Sequence, residues 1–188
     1  LEFRRVLFRS LMSRGAVIPP KAQRDPTWGR VHHVGYNTIF PLLLTVLDRV
    51  EDARQIKAML TLMRSEKHLW SRHGLRSLSP QDLFYGQENA PGDAPYWRGA
   101  IWMPINLLAL RALIYYAGGV PDTSLEAENR DNATAIYAEL RVNVLGTVLG
   151  EWKRTRSVWE HYDDKTGRGM RSNPFTGWTS LILNKIGR

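Results

Sequence analysis

The stretch YWRGAIWMPINLLALRAL, residues Tyr96 to Leu113, joins an aromatic loop to a helix. Pro104 suits the first turn of a helix, where its missing N–H costs no hydrogen bond. Beyond it, apolar residues recur at helical spacing at Ile105, Leu108, Ala109 and Ala112. The pair Gly118-Gly119 is a stop signal. The sequence therefore predicts a helix that starts near Pro104 and carries aromatic residues at its N-terminal end.

Helical patterns also lie on both sides of that stretch. Residues 36–50 form an apolar segment in which a proline is tolerable within the first turn. Residues 52–65 place apolar side chains at i, i+3, i+4 and i+7, at Ile56, Met59, Leu60 and Met63. Residues 124–152 predict a longer helix with one face formed by Tyr137, Leu140, Val144, Val148 and Trp152, and residues 178–186 predict a last one. No segment alternates convincingly like a strand, so the sequence predicts an all-α fold.

Composition excludes several classes of protein. The chain has 188 residues, 43% of them hydrophobic, which is enough for one domain with a sizeable core. It has no cysteine, so disulfides and thiolate metal sites are excluded. No apolar run approaches the roughly 18 residues that span a bilayer, so we expect no membrane contact by this region.

The N-terminal residues need separate treatment. Residues 1–10, LEFRRVLFRS, look like a translated linker or adapter, and residues 11–31 form a loop-rich lead-in. Three arginines and one glutamate in the first ten residues account for +2 of the net charge of +8, which leaves +6 for the remainder. Because the remaining basic residues are scattered among acidic ones, we expect no nucleic-acid partner.

The aromatic loop has the chemistry of a sugar-binding surface. A pyranose packs its C–H faces on aromatic rings, which Trp97 and Trp102 could supply, and its hydroxyls need polar partners. Arg98 offers a fork of donors, and Asn106 a donor and an acceptor. The alternative is that Tyr96 and the two tryptophans are core residues at a loop–helix junction. The residue types leave both interpretations open.

A second candidate lies in the irregular segment of residues 158–178. Glu160 stands beside a tryptophan, a setting in which a carboxylate can activate water. Asp163 and Asp164 are rivals, although we interpret both as turn and capping residues. The run DDKTGRG lacks the spaced oxygen ligands of a calcium loop. The five histidines show no metal-ligand spacing; they are His32, His33, His68, His73 and His161. We therefore predict neither a metal nor a cofactor.

Several long motifs together resemble glycoside hydrolase family 63, the family of the mannosyl-oligosaccharide glucosidases. They are HVGYNTIFPLLL, GLRSLS, FYGQENAPGDAPYWRGAIWMPINLLALRAL, ELRVNVLGTV and WEHYDDKTGRGMRSNPFTGWTSLIL, in that order. The resemblance implies an (α/α)6 toroid in the lumen of the endoplasmic reticulum. It also implies inverting hydrolysis of the terminal α-1,2-linked glucose of the precursor N-glycan.

The same resemblance implies roles for individual residues. Glu160, in the WExY motif, is similar in position to the general base. The pocket wall and substrate contacts are expected at Tyr96, Trp97, Arg98, Trp102, Asn106 and Trp178. We further expect the two motifs to converge, with a cationic or donor partner near Glu160; the candidates are Arg98 first, then Arg168 or Arg171.

One departure limits what the resemblance implies. The family's general acid is an Asp in an upstream motif that we do not find here. We therefore expect residues 32–188 to be the C-terminal part of the toroid, inactive alone. Two alternatives remain: a related toroid hydrolase such as a trehalase or α-glucosidase, and a non-catalytic helical module that binds glycans or a partner protein.

Overall fold

The computed structural model describes residues 32–121 and 123–185. The predictions for residues 1–10 and 11–31 lie outside the described residues. The elements are, in chain order, helices α1 (Tyr36–Leu43) and α2 (Ala53–Arg64), strands β1 (Trp70–Ser71) and β2 (Gly74–Leu75), helices α3 (Met103–Ala117) and α4 (Ser124–Thr155), strands β3 (His161–Tyr162) and β4 (Gly169–Met170), and a 3-10 helix (Trp178–Lys185). The all-α class is confirmed.

Helix α3 lies at the centre of the described fold. It packs against α1, α4 and the 3-10 helix, and its start next to Pro104 agrees with the prediction. The predicted inner stripe is only partly correct, since Ala109 and Ala112 are buried whereas Ile105 and Leu108 are half-buried. A helix covered on several sides buries more than one stripe. Its buried residues are Met103, Asn106, Leu107, Ala109, Leu110, Ala112, Leu113 and Tyr116.

Helix α4 is the longest element, at 32 residues. Thr123 caps its first turn: its hydroxyl accepts a hydrogen bond from the Glu126 N–H, and its own N–H donates to the Glu126 carboxylate. The helix ends at Thr155, and the capping residue that follows, Arg156, has a left-handed φ of 58°. On the predicted face Leu140, Val144 and Val148 are buried, whereas Tyr137 is half-buried and Trp152 is exposed.

Helix α1, the C-terminal segment and two hairpins differ from the predictions. Helix α1 ends at Leu43, because Thr45 takes a left-handed φ of 53°, so the predicted helix over residues 36–50 is too long. The C-terminal segment is a 3-10 helix. Two antiparallel hairpins, β1–β2 and β3–β4, lie in segments where the sequence predicts no strand. Each strand has only two residues, which is too short to show an alternating pattern.

The hairpins and the aromatic loop meet at Ile101. Its N–H donates to Tyr162 O at 2.8 Å, and the Tyr162 N–H donates back to Ile101 O at 3.0 Å. Ile101 also bridges to Arg76, just after β2. The two segments that carry the candidate site are therefore joined through backbone hydrogen bonds directly before α3.

Within residues 32–121 and 123–185, none of the helices combines the length and the hydropathy that a membrane span requires.

Candidate active site

Glu160 lies at the junction of the two segments, directly before β3. The Tyr96 hydroxyl donates to its Oε1, and the Ser172 N–H reaches Oε2 at 3.5 Å. Its backbone is held too, because the Glu160 N–H donates to Ser172 O at 3.1 Å and Trp178 Nε1 donates to Glu160 O at 2.8 Å. The predicted convergence of the two motifs is confirmed by these contacts.

The environment keeps the Glu160 carboxyl ionised. Burial raises the pKa of this carboxyl. The hydrogen bonds from Tyr96 and Ser172, together with the neighbouring His161, lower the pKa by more than burial raises it, so the pKa lies below the ordinary value. The residue remains 7% exposed. A carboxylate that is charged at neutral pH can accept a proton from a water molecule bound against it.

The partner of Glu160 is a donor, as expected, but it is not an arginine. Glu160 forms no ion pair with any residue in the described part of the chain. Arg98 instead donates to Glu88 O at 2.5 Å and to Gln87 O at 3.3 Å, so the loop backbone holds its guanidinium. Arg171 pairs with Asp93 at 2.7 Å and stacks on the Tyr96 ring. The prediction of Arg98 as the partner is therefore wrong, and the Tyr96 hydroxyl takes that role.

Three rings form a stack beside Glu160. Trp97 lies parallel to Trp102 with centroids 3.8 Å apart, and Trp102 stacks on His161 at 4.6 Å. Tyr96 meets Trp102 edge-on at 4.5 Å, and Trp178 lies tilted at 5.8 Å. Trp97, at the outer end of the stack, is 45% exposed. The stack therefore leaves its outer indole, Trp97, partly exposed on the buried support of Trp102 and His161.

The predicted substrate contacts separate into exposed and buried residues. Tyr96, Arg98 and Trp178 are half-buried, whereas Trp102 and Asn106 have no exposed surface. The Asn106 amide accepts from Leu75 N at 2.7 Å and donates to Trp102 O at 2.9 Å. Trp102 and Asn106 are thus enclosed by protein atoms. Their contacts hold β2 and the aromatic loop at the start of α3.

The two aspartates after Glu160 have different environments. Asp163 accepts from the backbone of Lys165 and Thr166 and from the Thr166 hydroxyl, which confirms it as a turn residue. Asp164 makes none of these bonds. It is buried and accepts from Arg76 and Tyr85, so the interpretation as turn chemistry is wrong for Asp164.

No group of three metal-ligating side chains occurs within the described ranges.

His161 is a site residue that sequence reasoning missed. It is 1% exposed, and its Nδ1 has no hydrogen-bond partner among the residues that the structure describes. Burial lowers its pKa to about 4, with Arg171 acting in the same direction and Glu160 opposing. The ring is therefore neutral at pH 7. No local sequence pattern identifies His161 as a site residue, because it is far from Trp102 in the sequence and stacks on it only in the folded chain.

We expect His161 to make the chain sensitive to acid. The folded pKa is below the unfolded one, so the unfolded chain binds the proton first and stability falls as the pH drops below about 6.5. The loss between pH 6.5 and 5 should be about 2 kcal/mol. His161→Gln should remove much of this loss of unfolding free energy between the two pH values, as measured by urea unfolding. The control His32→Gln replaces an exposed histidine and should leave the loss in place. An equal pH dependence in all three proteins would contradict the assignment.

The chain matches one protein family and several known proteins. Residues 12–188 match the glycosyl hydrolase family 63 C-terminal domain. A Schizosaccharomyces pombe protein named "Probable mannosyl-oligosaccharide glucosidase" is 41% identical over 155 residues, which are 82% of this chain and 18% of that protein. The mannosyl-oligosaccharide glucosidase of Saccharomyces cerevisiae is 34% identical, covering 84% of this chain and 18% of the relative. Alpha-glucosidase 2 of Arabidopsis thaliana is 35% identical, with 81% and 18% covered. The chain thus spans about a fifth of the length of these relatives.

Proposed function

Because this chain belongs to glycosyl hydrolase family 63, we propose that it forms the base-bearing part of an inverting α-glucosidase. The enzyme removes the terminal α-1,2-linked glucose from the precursor N-glycan, in the lumen of the endoplasmic reticulum. The observation that carries this proposal is the ionised Glu160 carboxylate, held by the hydroxyl of Tyr96, whose chain neighbour Trp97 is partly exposed. The names of the relatives support the substrate class.

Glu160 acts as the general base. One carboxylate oxygen takes a proton from a water molecule as that water attacks the anomeric carbon, and the bond to the leaving oxygen breaks on the opposite face of the sugar. A general acid must protonate the leaving oxygen, at a carboxyl–carboxyl separation of about 6.5–9.5 Å for inversion. We assign the acid to a part of the longer protein outside this chain, and residues 32–188 to the C-terminal part of its helical toroid.

The aromatic loop binds the sugar. Trp97 offers its exposed ring to the C–H face of the glucose, and Trp102 and His161 support it from behind. Tyr96, Arg98 and Trp178 line the pocket, where their polar groups can meet sugar hydroxyls. Trp102 and Asn106 enter the proposal as supports for the loop because neither has exposed surface.

The stereochemistry of the product tests the proposal. The full-length protein that contains this chain should release β-glucose from an α-1,2-linked glucosyl oligosaccharide, because inversion converts the α linkage into the β anomer. Proton NMR during the first minutes of reaction distinguishes the two anomers before mutarotation mixes them. Release of α-glucose would contradict the inverting mechanism. Glycan binding with no release would instead favour a non-catalytic glycan-binding module.

A further inference from the structure

Asp164 is the centre of a buried polar cluster that the base mechanism does not use. Arg76 Nε donates to its Oδ2 at 2.6 Å, and the Tyr85 hydroxyl lies 2.7 and 2.9 Å from its two oxygens. Both charged side chains are largely enclosed, at 7% exposed for Asp164 and 14% for Arg76. A buried carboxylate with three such contacts is strongly constrained in position.

The cluster connects the two halves of the candidate site. Asp164 follows Glu160 by four residues, in the turn between β3 and β4. Tyr85 belongs to the other segment, where its ring lies against Gly99, so closely that a Cβ on Gly99 would be 2.6 Å from the ring. The neighbouring Gly86 N–H donates to Arg98 O at 2.7 Å. Tyr85 is therefore held against the aromatic loop that carries Tyr96.

A cleft of about 90 Å³ opens beside these contacts, and its lining includes Tyr85, Arg98, Asp163 and Asp164. The polar contacts of Asp164 therefore add a second connection between the segments, next to the backbone hydrogen bonds between Ile101 and Tyr162. Arg76 extends it to the first hairpin, donating to the carbonyl of Trp70 and to Glu66 O at 3.0 Å.

We propose that Asp164 is a positioning residue, which through Tyr85 and Arg76 holds the loop bearing Tyr96 against the hairpin bearing Glu160. This inference rests on the proposed function, because its consequence is the placement of the general base. In Asp164→Asn the enclosed Arg76 loses its counter-ion, and a single amide oxygen must accept from both Arg76 and Tyr85 in place of two carboxylate oxygens. The loop can then move away from the hairpin, and the bond between Tyr96 and Glu160 weakens.

Asp164→Asn in the full-length protein tests the proposal, with Asp163→Asn as the matched control. For Asp164→Asn we expect kcat to fall by about 10-fold to 100-fold with KM little changed, as for a misplaced catalytic group. The acid limb of the pH–kcat profile should also move up by about half a pH unit, because Glu160 loses part of a hydrogen bond that favours its charged form. Tyr96, His161 and Arg171 are the other ionisable groups near Glu160, and neither variant alters them.

Tyr85→Phe is the second variant, because it removes a single hydroxyl and preserves the ring on Gly99. It should lower kcat and move the acid limb in the same direction, by less than Asp164→Asn. Hydrogen–deuterium exchange gives a readout that does not need activity. Exchange in residues 84–99 should rise in Asp164→Asn and Tyr85→Phe, and should stay as in the unsubstituted protein in Asp163→Asn.

The outcomes separate this inference from the proposed function. If exchange in residues 84–99 and the acid limb are unchanged in both cluster variants, the positioning role is wrong even though the enzyme is an α-glucosidase. If the unsubstituted protein releases no glucose, the proposed function fails, and the exchange data alone decide whether Asp164 holds the loop. An unchanged acid limb with a uniform loss of thermal stability would reduce Asp164 to a structural residue.

Discussion

Replacing Glu160 with glutamine should lower the turnover of the full-length protein by about 10²–10⁴-fold, the usual contribution of a positioned acid or base. Glutamine preserves the shape of the side chain and can still accept the hydrogen bond from Tyr96. It cannot take a proton from water. Glycan binding should therefore remain largely intact, and kcat should fall while KM changes little. Initial rates of glucose release over a range of oligosaccharide concentrations measure both parameters.

The neighbouring Asp163 provides the control for this substitution. Its carboxylate closes the turn over residues 163–166 and makes no contact with Glu160 among the described residues. Asp163→Asn should therefore retain most of the activity. Normal turnover by Glu160→Gln together with an inactive Asp163→Asn would show that the base has been assigned to the wrong carboxylate.

Truncation of Trp102 should have the largest effect on stability. Its indole has no exposed surface and contacts Trp97, His161, Tyr96 and Trp178, so Trp102→Ala removes the middle of the ring stack. A buried tryptophan replaced by alanine costs about 3–5 kcal/mol of unfolding free energy. Urea unfolding of the 188-residue chain followed by far-UV circular dichroism measures this loss independently of tryptophan fluorescence.

Trp152 offers a matched control of the same residue type. It is 41% exposed on α4, where Arg156 lies over its ring at 5.1 Å. Trp152→Ala should cost less than about 1 kcal/mol, because little packing is lost at an exposed position. Equal losses for the two tryptophans would mean that the stack does not form part of the core as described.

The helices could be predicted from the sequence because each depends on residues near one another in the chain. Apolar spacing located α2 and most of α4, and Pro104 located the start of α3. The long motifs likewise identified the family, and the residue types indicated Glu160 and the aromatic loop as candidates. These features are local, so a pattern of 3.6 residues or a run of specific side chains is sufficient to find them.

The arrangement within the site was decided only by the tertiary structure. Tyr96 and Glu160 are 64 residues apart, and Tyr85 and Asp164 are 79 apart. Neither pair leaves a periodic signal, since both lie in irregular segments whose course is set by backbone bonds at Ile101 and by the enclosed amide of Asn106. Composition likewise does not separate an exposed Trp97 from a buried Trp102. That difference arises because the rings stack in one order, with Trp102 enclosed between Trp97 and His161 and with Trp97 at the outer end.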